Sequence, residues 1–142
     1  MIYTDMTRRA MQIAFEAHKG QVDKSGVPYI YHPIHLAEQM TEESTICVAL
    51  LHDVVEDTSI SIEDLTAQGF DAAVLEALKL LTHDVTVPYM EYVAAIKNDP
   101  IARAVKLADL RHNSDLSRLV TIDEKAKRRQ EKYLTAIAYL EV

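Results

Sequence analysis

Leu50-Leu51-His52-Asp53-Val54-Val55-Glu56-Asp57 decides how the rest of the chain is read. On a helix, residues four apart share a face, so His52 lies beside Glu56 and Asp53 beside Asp57, with the Leu and Val residues on the other side. The residues leading into it, Ile46-Cys47-Val48-Ala49-Leu50-Leu51, are all apolar, which makes Cys47 a core residue. One reading of the polar face is the solvated side of an amphipathic helix. Two features disfavour it. Asp53 and Asp57 repel each other by about 0.2–0.5 kcal/mol at this spacing if exposed. Three carboxylates also crowd the C-terminal end of the helix, where the backbone already carries partial negative charge and Lys or Arg would be favoured. A divalent cation held by this face removes both objections, because it would be the largest local charge.

The flanking sequence reads as further helices. Thr4 caps a first helix to about Lys19, with Met6, Ala10, Ile13, Ala14 and Ala17 at helical spacing and Gly20 as its stop. Gln21 to Tyr31 contains Ser25-Gly26 and Pro28 and reads as a loop. A short helix follows Pro33, with Ile34, Ala37 and Met40 inward, and the helix carrying His52 runs from about Glu43 to Val55. Ser61-Ile62-Glu63-Asp64 forms a capping box for a short helix ended by Gly69. Asp71 caps a helix with Val74, Leu75, Leu78 and Leu81 on its apolar side. Pro88 to Lys97 reads as another helix. Asp99-Pro100 opens one that reaches about Asn113. Asp123 caps the last, whose stripe of Ala126, Tyr133, Leu134, Ile137 and Leu140 fits core packing or a homo-oligomer contact equally well. With 3 Gly and 4 Pro in 142 residues, helices joined by short loops are favoured over strands and tight turns. No repeat, linker or low-complexity segment divides the chain, so residues 1–142 are expected to form one all-α domain, a compact helical bundle.

Net charge is −7, from 15 basic and 22 acidic residues, and no basic stripe appears, which argues against a nucleic-acid partner. A small anionic substrate remains compatible, because a cation or a few placed Lys and Arg side chains reverse the field locally. No stretch approaches the roughly 18 apolar residues of a membrane span. Asp5, Arg8 and Arg9 in the first turns do not resemble a signal peptide, and a lone Cys47 forms no internal disulfide, so a cytoplasmic protein is expected.

Two ligands do not make a metal site. Asp109 follows the largely apolar Ala104-Val105-Lys106-Leu107-Ala108, as a ligand or as a solvated or capping carboxylate. His32 sits between Tyr31 and Pro33 at a loop-to-helix junction, as a ligand or as a packed or exposed ring. Simpler roles suit the other histidines: His18 at a helix end, and His35, His83 and His112 as caps or as supports for ligating side chains. Lys24 and Arg111 are candidates to meet phosphate charge, or else surface cations. Tyr29 and Tyr31 could line a base pocket or pack in the core.

Tyr29-Ile30-Tyr31-His32-Pro33, then Leu51 to Thr58, then Lys106-Leu107-Ala108-Asp109 with Asn113, resemble the HD-domain phosphohydrolases. Within them the chain is similar to the hydrolase domain of RelA/SpoT-type enzymes and their small stand-alone relatives. Ala17-His18-Lys19-Gly20-Gln21 and Lys24-Ser25-Gly26 add to this likeness, which covers about residues 10 to 120. The resemblance implies an all-α fold of the HD-domain type. It also implies a single divalent metal, typically manganese, on the positions matched by His32, His52, Asp53 and Asp109. The donor set itself is open to Fe, Co, Zn or Mg as well. The implied reaction removes pyrophosphate from the 3′ position of guanosine tetra- or pentaphosphate, with Glu56 and Asp57 assisting water attack and Asn113 in the nucleotide pocket.

Three positions depart from the family pattern. Asp23-Lys24 stands where the family has Arg-Lys, Asp109-Leu110-Arg111-His112-Asn113 replaces Asp-Arg-Leu-His-Asn, and Leu116 replaces a pocket Thr. These changes touch the implied substrate pocket and leave the implied metal ligands intact. A phosphatase or pyrophosphatase for another nucleotide or dinucleotide is therefore the alternative enzyme, and a non-catalytic metal- and nucleotide-binding sensor the alternative of another class. The acidic Glu56-Asp57 pair argues against the sensor, because binding alone does not require it.

Overall fold

The apolar run at 46–51 becomes the middle of the central helix. The computed structural model describes residues 1–142 as α1 (Asp5–Ala17), α2 (Tyr31–Glu38), α3 (Glu43–Asp57), α4 (Ile62–Ala67), α5 (Ala72–Leu81), α6 (Tyr89–Lys97), α7 (Pro100–Asn113) and α8 (Glu124–Glu141), with a 3-10 turn at Leu116–Arg118. There is no sheet; a single bridge between Val22 and Pro28 closes the loop after α1. The chain is all-α, as expected, and no helix is long and apolar enough to cross a membrane.

α3 packs against α1, α2, α5 and α7. Every residue from Ile46 to Val54 is buried, so over this span the helix is enclosed on all sides. The solvated-face alternative, already disfavoured by its charge pattern, does not hold for His52 and Asp53. His52 and Asp53 lie inside, 5% and 8% exposed, and only Glu56 and Asp57 in the last turn reach solvent. The physical reason is that α7 covers the face that spacing alone assigns to water. Leu50 and Leu51 are fully buried, each worth about 1.5–3 kcal/mol relative to exposure. The backbone beneath His52 is thus fixed by apolar packing.

Helix ends follow local chemistry. Thr4 and Thr7 form a reciprocal capping box, as do Ser61 and Asp64. The Asp99 carboxylate accepts from the amides of Ile101 and Ala102, and that of Asp123 from Ala126. Asp71 takes the N-cap position but makes no capping hydrogen bond. α2 begins at Tyr31, two residues before Pro33, because the amides of a first turn have no partner within the helix and proline there removes nothing. Gly20 adopts φ +84°, a conformation costly to any side chain, and turns the chain so that the Gln21 amide donates to the His18 carbonyl. On α8 the buried positions are Ala126, Ala136 and Leu140, with Tyr133 and Ile137 partly covered. Leu134 is 50% exposed, one step of about 100° around the helix from Tyr133, so it leaves the expected stripe.

Candidate metal centre

α2, α3 and α7 converge at one point. His32 comes from the first turn of α2, His52 and Asp53 from α3, and Asp109 from α7; one ligand atom from each lies within 4.8 Å of all the others. His52 Nε2 is 3.1 Å from Asp53 Oδ2 and 3.5 Å from Asp109 Oδ1. His32 Nε2 is 2.9 Å from Asp109 Oδ1 and 3.6 Å from Asp53 Oδ2. All four side chains are buried.

The tautomer of His52 follows from one contact. Its Nδ1 lies 2.8 Å from the Ala49 carbonyl oxygen, which can only accept, so Nδ1 carries the proton. A neutral His52 therefore presents a lone pair at Nε2, and that buried atom has no hydrogen-bond partner in the fold. A lone pair aimed at two carboxylate oxygens is repulsive unless positive charge lies between them. Burial opposes a charged His52, but Asp53 and Asp109 outweigh it and raise its pKa well above the ordinary value. Positive charge at this point, a proton on Nε2 or a bound metal ion, removes the repulsion. Two imidazole nitrogens and two carboxylates form a mixed N/O donor set suited to a divalent ion.

The surroundings fix the ligand atoms. Lys106, Asp109, His112 and Asn113 stand three and four residues apart on one face of α7. Lys106 Nζ is 3.1 Å from Asp109 Oδ2, and Asn113 Nδ2 donates to Asp109 Oδ1 at 3.0 Å. Burial works against the charged Asp109, yet Lys106 and the two histidines hold its pKa well below the usual carboxylate range. The Tyr29 hydroxyl donates to Asp53 Oδ2 at 2.6 Å, and burial together with the Asp53 charge pushes its pKa upward. His32 Nδ1 meets His112 Nδ1 at 2.7 Å. Burial and the cationic Arg118 depress His112 to about 4, so it is a neutral ring at ordinary pH.

Of the clefts that touch the cluster, two also reach Asn113. The larger, about 320 Å³, has His32, Tyr29, Asn113 and Tyr133 toward the cluster, and Lys24, Arg118 and Arg129 as cations on its wall. The smaller, about 190 Å³, is polar and holds Glu56, His83, Lys106 and Lys132 beside Asp53 and Asp109. Burial and the neighbouring Asp53 raise the pKa of Glu56 and also that of Asp57, which is exposed at the end of α3.

The fold brings His32, His52, Asp53 and Asp109 together, with Tyr29 and Asn113 bonded to two of them and Glu56 and Lys24 in the adjoining clefts. It does not bring Arg111. That side chain is 55% exposed and pairs with Glu141 at 2.8 Å on the outer surface. Tyr31 is 61% exposed, so it is not a core residue. His18 takes the C-cap of α1 and bonds Gln21, while His83 Nε2 donates to the Val87 carbonyl and stacks on Tyr92. Arg118, Arg129, Lys106 and Lys132 were not singled out by sequence reasoning. Lys106 and Arg129 carried a signal, since each is a cation at an inward helical position: three before Asp109, and between Ala126 and Tyr133.

The HD domain family model matches residues 10–112. The guanosine-3′,5′-bis(diphosphate) 3′-pyrophosphohydrolase MESH1 of Mus musculus is 36% identical over 135 residues, covering 84% of this chain and 75% of its own length. The bifunctional (p)ppGpp synthase/hydrolase SpoT of Escherichia coli is 36% identical over 121 residues, 75% of this chain but 17% of SpoT. The GTP pyrophosphokinase of Streptomyces coelicolor is 34% identical over 135 residues, 87% of this chain and 16% of that enzyme. The chain thus spans about a sixth of the length of these two bacterial relatives. A solved structure, described as a metazoan ortholog of SpoT that hydrolyzes ppGpp and plays a role in starvation responses, agrees in fold with a TM-score of 0.79 at 24% identity, over 99% of this chain and 87% of that one. A family match across most of the sequence, and a relative of comparable length at 36% identity, make this chain a member of the HD-domain family.

Proposed function

We propose that this chain is a metal-dependent phosphohydrolase that removes the 3′-pyrophosphate from guanosine tetra- or pentaphosphate or a related alarmone in the cytoplasm. The observation that carries the reading is the convergence of two imidazoles and two carboxylates from three helices, with one ligand atom of each of His32, His52, Asp53 and Asp109 within 4.8 Å of the others. The mouse and Escherichia coli relatives, named for this activity, support the choice of substrate.

His32, His52, Asp53 and Asp109 would hold one divalent ion, manganese by family likeness. When bound, such an ion polarises a phosphoryl oxygen and lowers the pKa of a coordinated water. The remaining chemistry falls to the protein. Glu56 stands one turn beyond His52 in the smaller cleft, and its raised pKa makes it a stronger base for taking a proton from the attacking water. Asp57, one residue on, assists at the rim. Lys106 and Lys132 would balance charge in the smaller cleft, and Lys24, Arg118 and Arg129 in the larger one. Tyr29 and Asn113 would border the nucleotide while holding Asp53 and Asp109.

A second reading, a phosphatase or pyrophosphatase for another nucleotide or dinucleotide, is favoured by Asp23 and Leu116. Both line the larger cleft, and each replaces a residue that the family uses for its guanine alarmone. A nucleotide panel assayed with added manganese separates the two. Pyrophosphate released from a guanosine 3′-diphosphate supports the first reading. Orthophosphate release, or turnover only of other nucleotides, supports the second, and no turnover with any nucleotide rejects both.

A further inference from the structure

The two histidines of the cluster are anchored in different ways. His52 is fixed by its own helix, since its Nδ1–H donates to the Ala49 carbonyl. His32 has no such carbonyl. Its Nδ1 meets a single group, the Nδ1 of His112, at 2.7 Å across 80 residues of sequence. The two rings are nearly parallel, 5° apart, with centroids separated by 4.9 Å. A face-to-face stack would hold all atoms at roughly 3.5 Å or more, so two nitrogens at 2.7 Å mean that the rings meet edge to edge. In that arrangement an N–H and a lone pair, both lying in their ring planes, point at each other.

We infer that His112 is a positioning residue, whose Nδ1 lone pair accepts the Nδ1–H of His32 and so aims the His32 Nε2 lone pair into the metal centre. Only one of the two facing nitrogens can carry the hydrogen. If His32 is to offer Nε2 to a cation, its proton must sit on Nδ1 and His112 must accept. His112 is itself braced: His35, one turn beyond His32 on α2, stacks on its open face with centroids 4.1 Å apart. α2 and α7 therefore meet through three imidazoles, and only the first of them reaches the cluster. The inference rests on the proposed four-residue metal site, and it does not depend on which nucleotide is cleaved.

The test reads metal binding rather than turnover. Manganese affinity is measured on the full chain by calorimetry, and cobalt is added to follow its visible d–d spectrum. His112→Phe keeps a flat ring against His35 but offers no acceptor, and it is expected to weaken manganese binding 10- to 100-fold and to change the cobalt spectrum. His112→Asn places a side-chain oxygen near the position of Nδ1 and is expected to bind within about threefold of the parent, since an amide oxygen accepts in the same direction. Far-UV circular dichroism confirms folding of each variant, and His112→Leu replaces the Phe variant if that one does not fold. Unchanged affinity in the folded Phe or Leu variant overturns the inference, as does an Asn variant no better than Phe. A parent chain that binds no divalent ion sinks the metal site itself, a result distinct from either.

Discussion

The two sides of the site are made of different material. The candidate ligands stand on α2, α3 and α7, buried, with an apolar run on α3 directly beneath His52. The larger cleft is walled instead by the loop after α1, the 116–118 turn and the first turns of α8. That loop is held by small polar contacts: the Asp23 carboxylate accepts from the amides of Ser25 and Val27, and the Ser25 hydroxyl donates to the Arg118 carbonyl. Departures from the family pattern at Asp23 and Leu116 fall on this second side; the Leu110-Arg111 exchange lies on α7, where Arg111 turns out to Glu141, and none of the four candidate ligands is changed. Under the proposed function, chemistry would be anchored where packing leaves the backbone no freedom, and selectivity would reside on segments that can change without moving it.

The largest effect belongs to the packed side. His52→Ala removes a proposed direct ligand and is expected to abolish measurable turnover and to weaken manganese binding beyond the roughly 100-fold typical of supporting residues. The parent should gain about 2.7 kcal/mol of stability at a free manganese concentration 100 times its Kd, and a chelator should reverse the gain. Thermal denaturation with and without manganese checks this. A full manganese-dependent shift in the variant would remove His52 from the metal centre.

Glu56 comes next, at the boundary of the two sides. Glu56→Gln keeps the shape and removes the base, so kcat should fall about 10²- to 10⁴-fold while manganese affinity stays near the parent's. Steady-state kinetics paired with calorimetry decide it. Loss of metal affinity in parallel with kcat would move Glu56 from proton transfer to ligand support.

Most of the packed side is legible in the sequence, and the reason is local. His52, Asp53, Glu56 and Asp57 lie within one helix, and the caps at Thr4, Ser61, Asp99 and Asp123 are read from single side chains. Convergence of His32 and Asp109 on that helix is tertiary, and family likeness supplied it where spacing could not. The enclosure of α3 was not legible, because four-residue periodicity cannot foresee that α7 covers the polar face. Arg118 was missed for the same kind of reason. It ends a short 3-10 turn with no amphipathic period, and only the fold carries its guanidinium back over the larger cleft, donating to the His112 carbonyl at 2.8 Å.

Arg118 therefore tests the open side. Arg118→Ala should raise KM about tenfold, the loss of one charge-assisted contact of about 1.5–3 kcal/mol partly offset by solvent, and leave manganese affinity unchanged. A drop in kcat at constant KM would contradict a binding role.

Arg111 marks the smallest effect and is the sharpest control. It lies two residues beyond Asp109, about 200° around α7, so its side chain leaves on the far side of the helix from the cluster. There it meets Glu141 near the end of α8 at 2.8 Å, with both side chains about half exposed. Exposed pairs of this kind contribute about 0–1 kcal/mol, and Arg111→Ala should leave kcat, KM and manganese affinity within twofold of the parent. Arg111 and Arg118 are both cations near the end of α7, and sequence favours Arg111 because it is nearer Asp109 and falls within the matched motif. Comparing the two variants on the same nucleotide decides whether proximity in sequence or the course of the backbone governs substrate binding. A KM raised by Arg111→Ala and left alone by Arg118→Ala would reverse the roles of the outer face of α7 and the 116–118 turn.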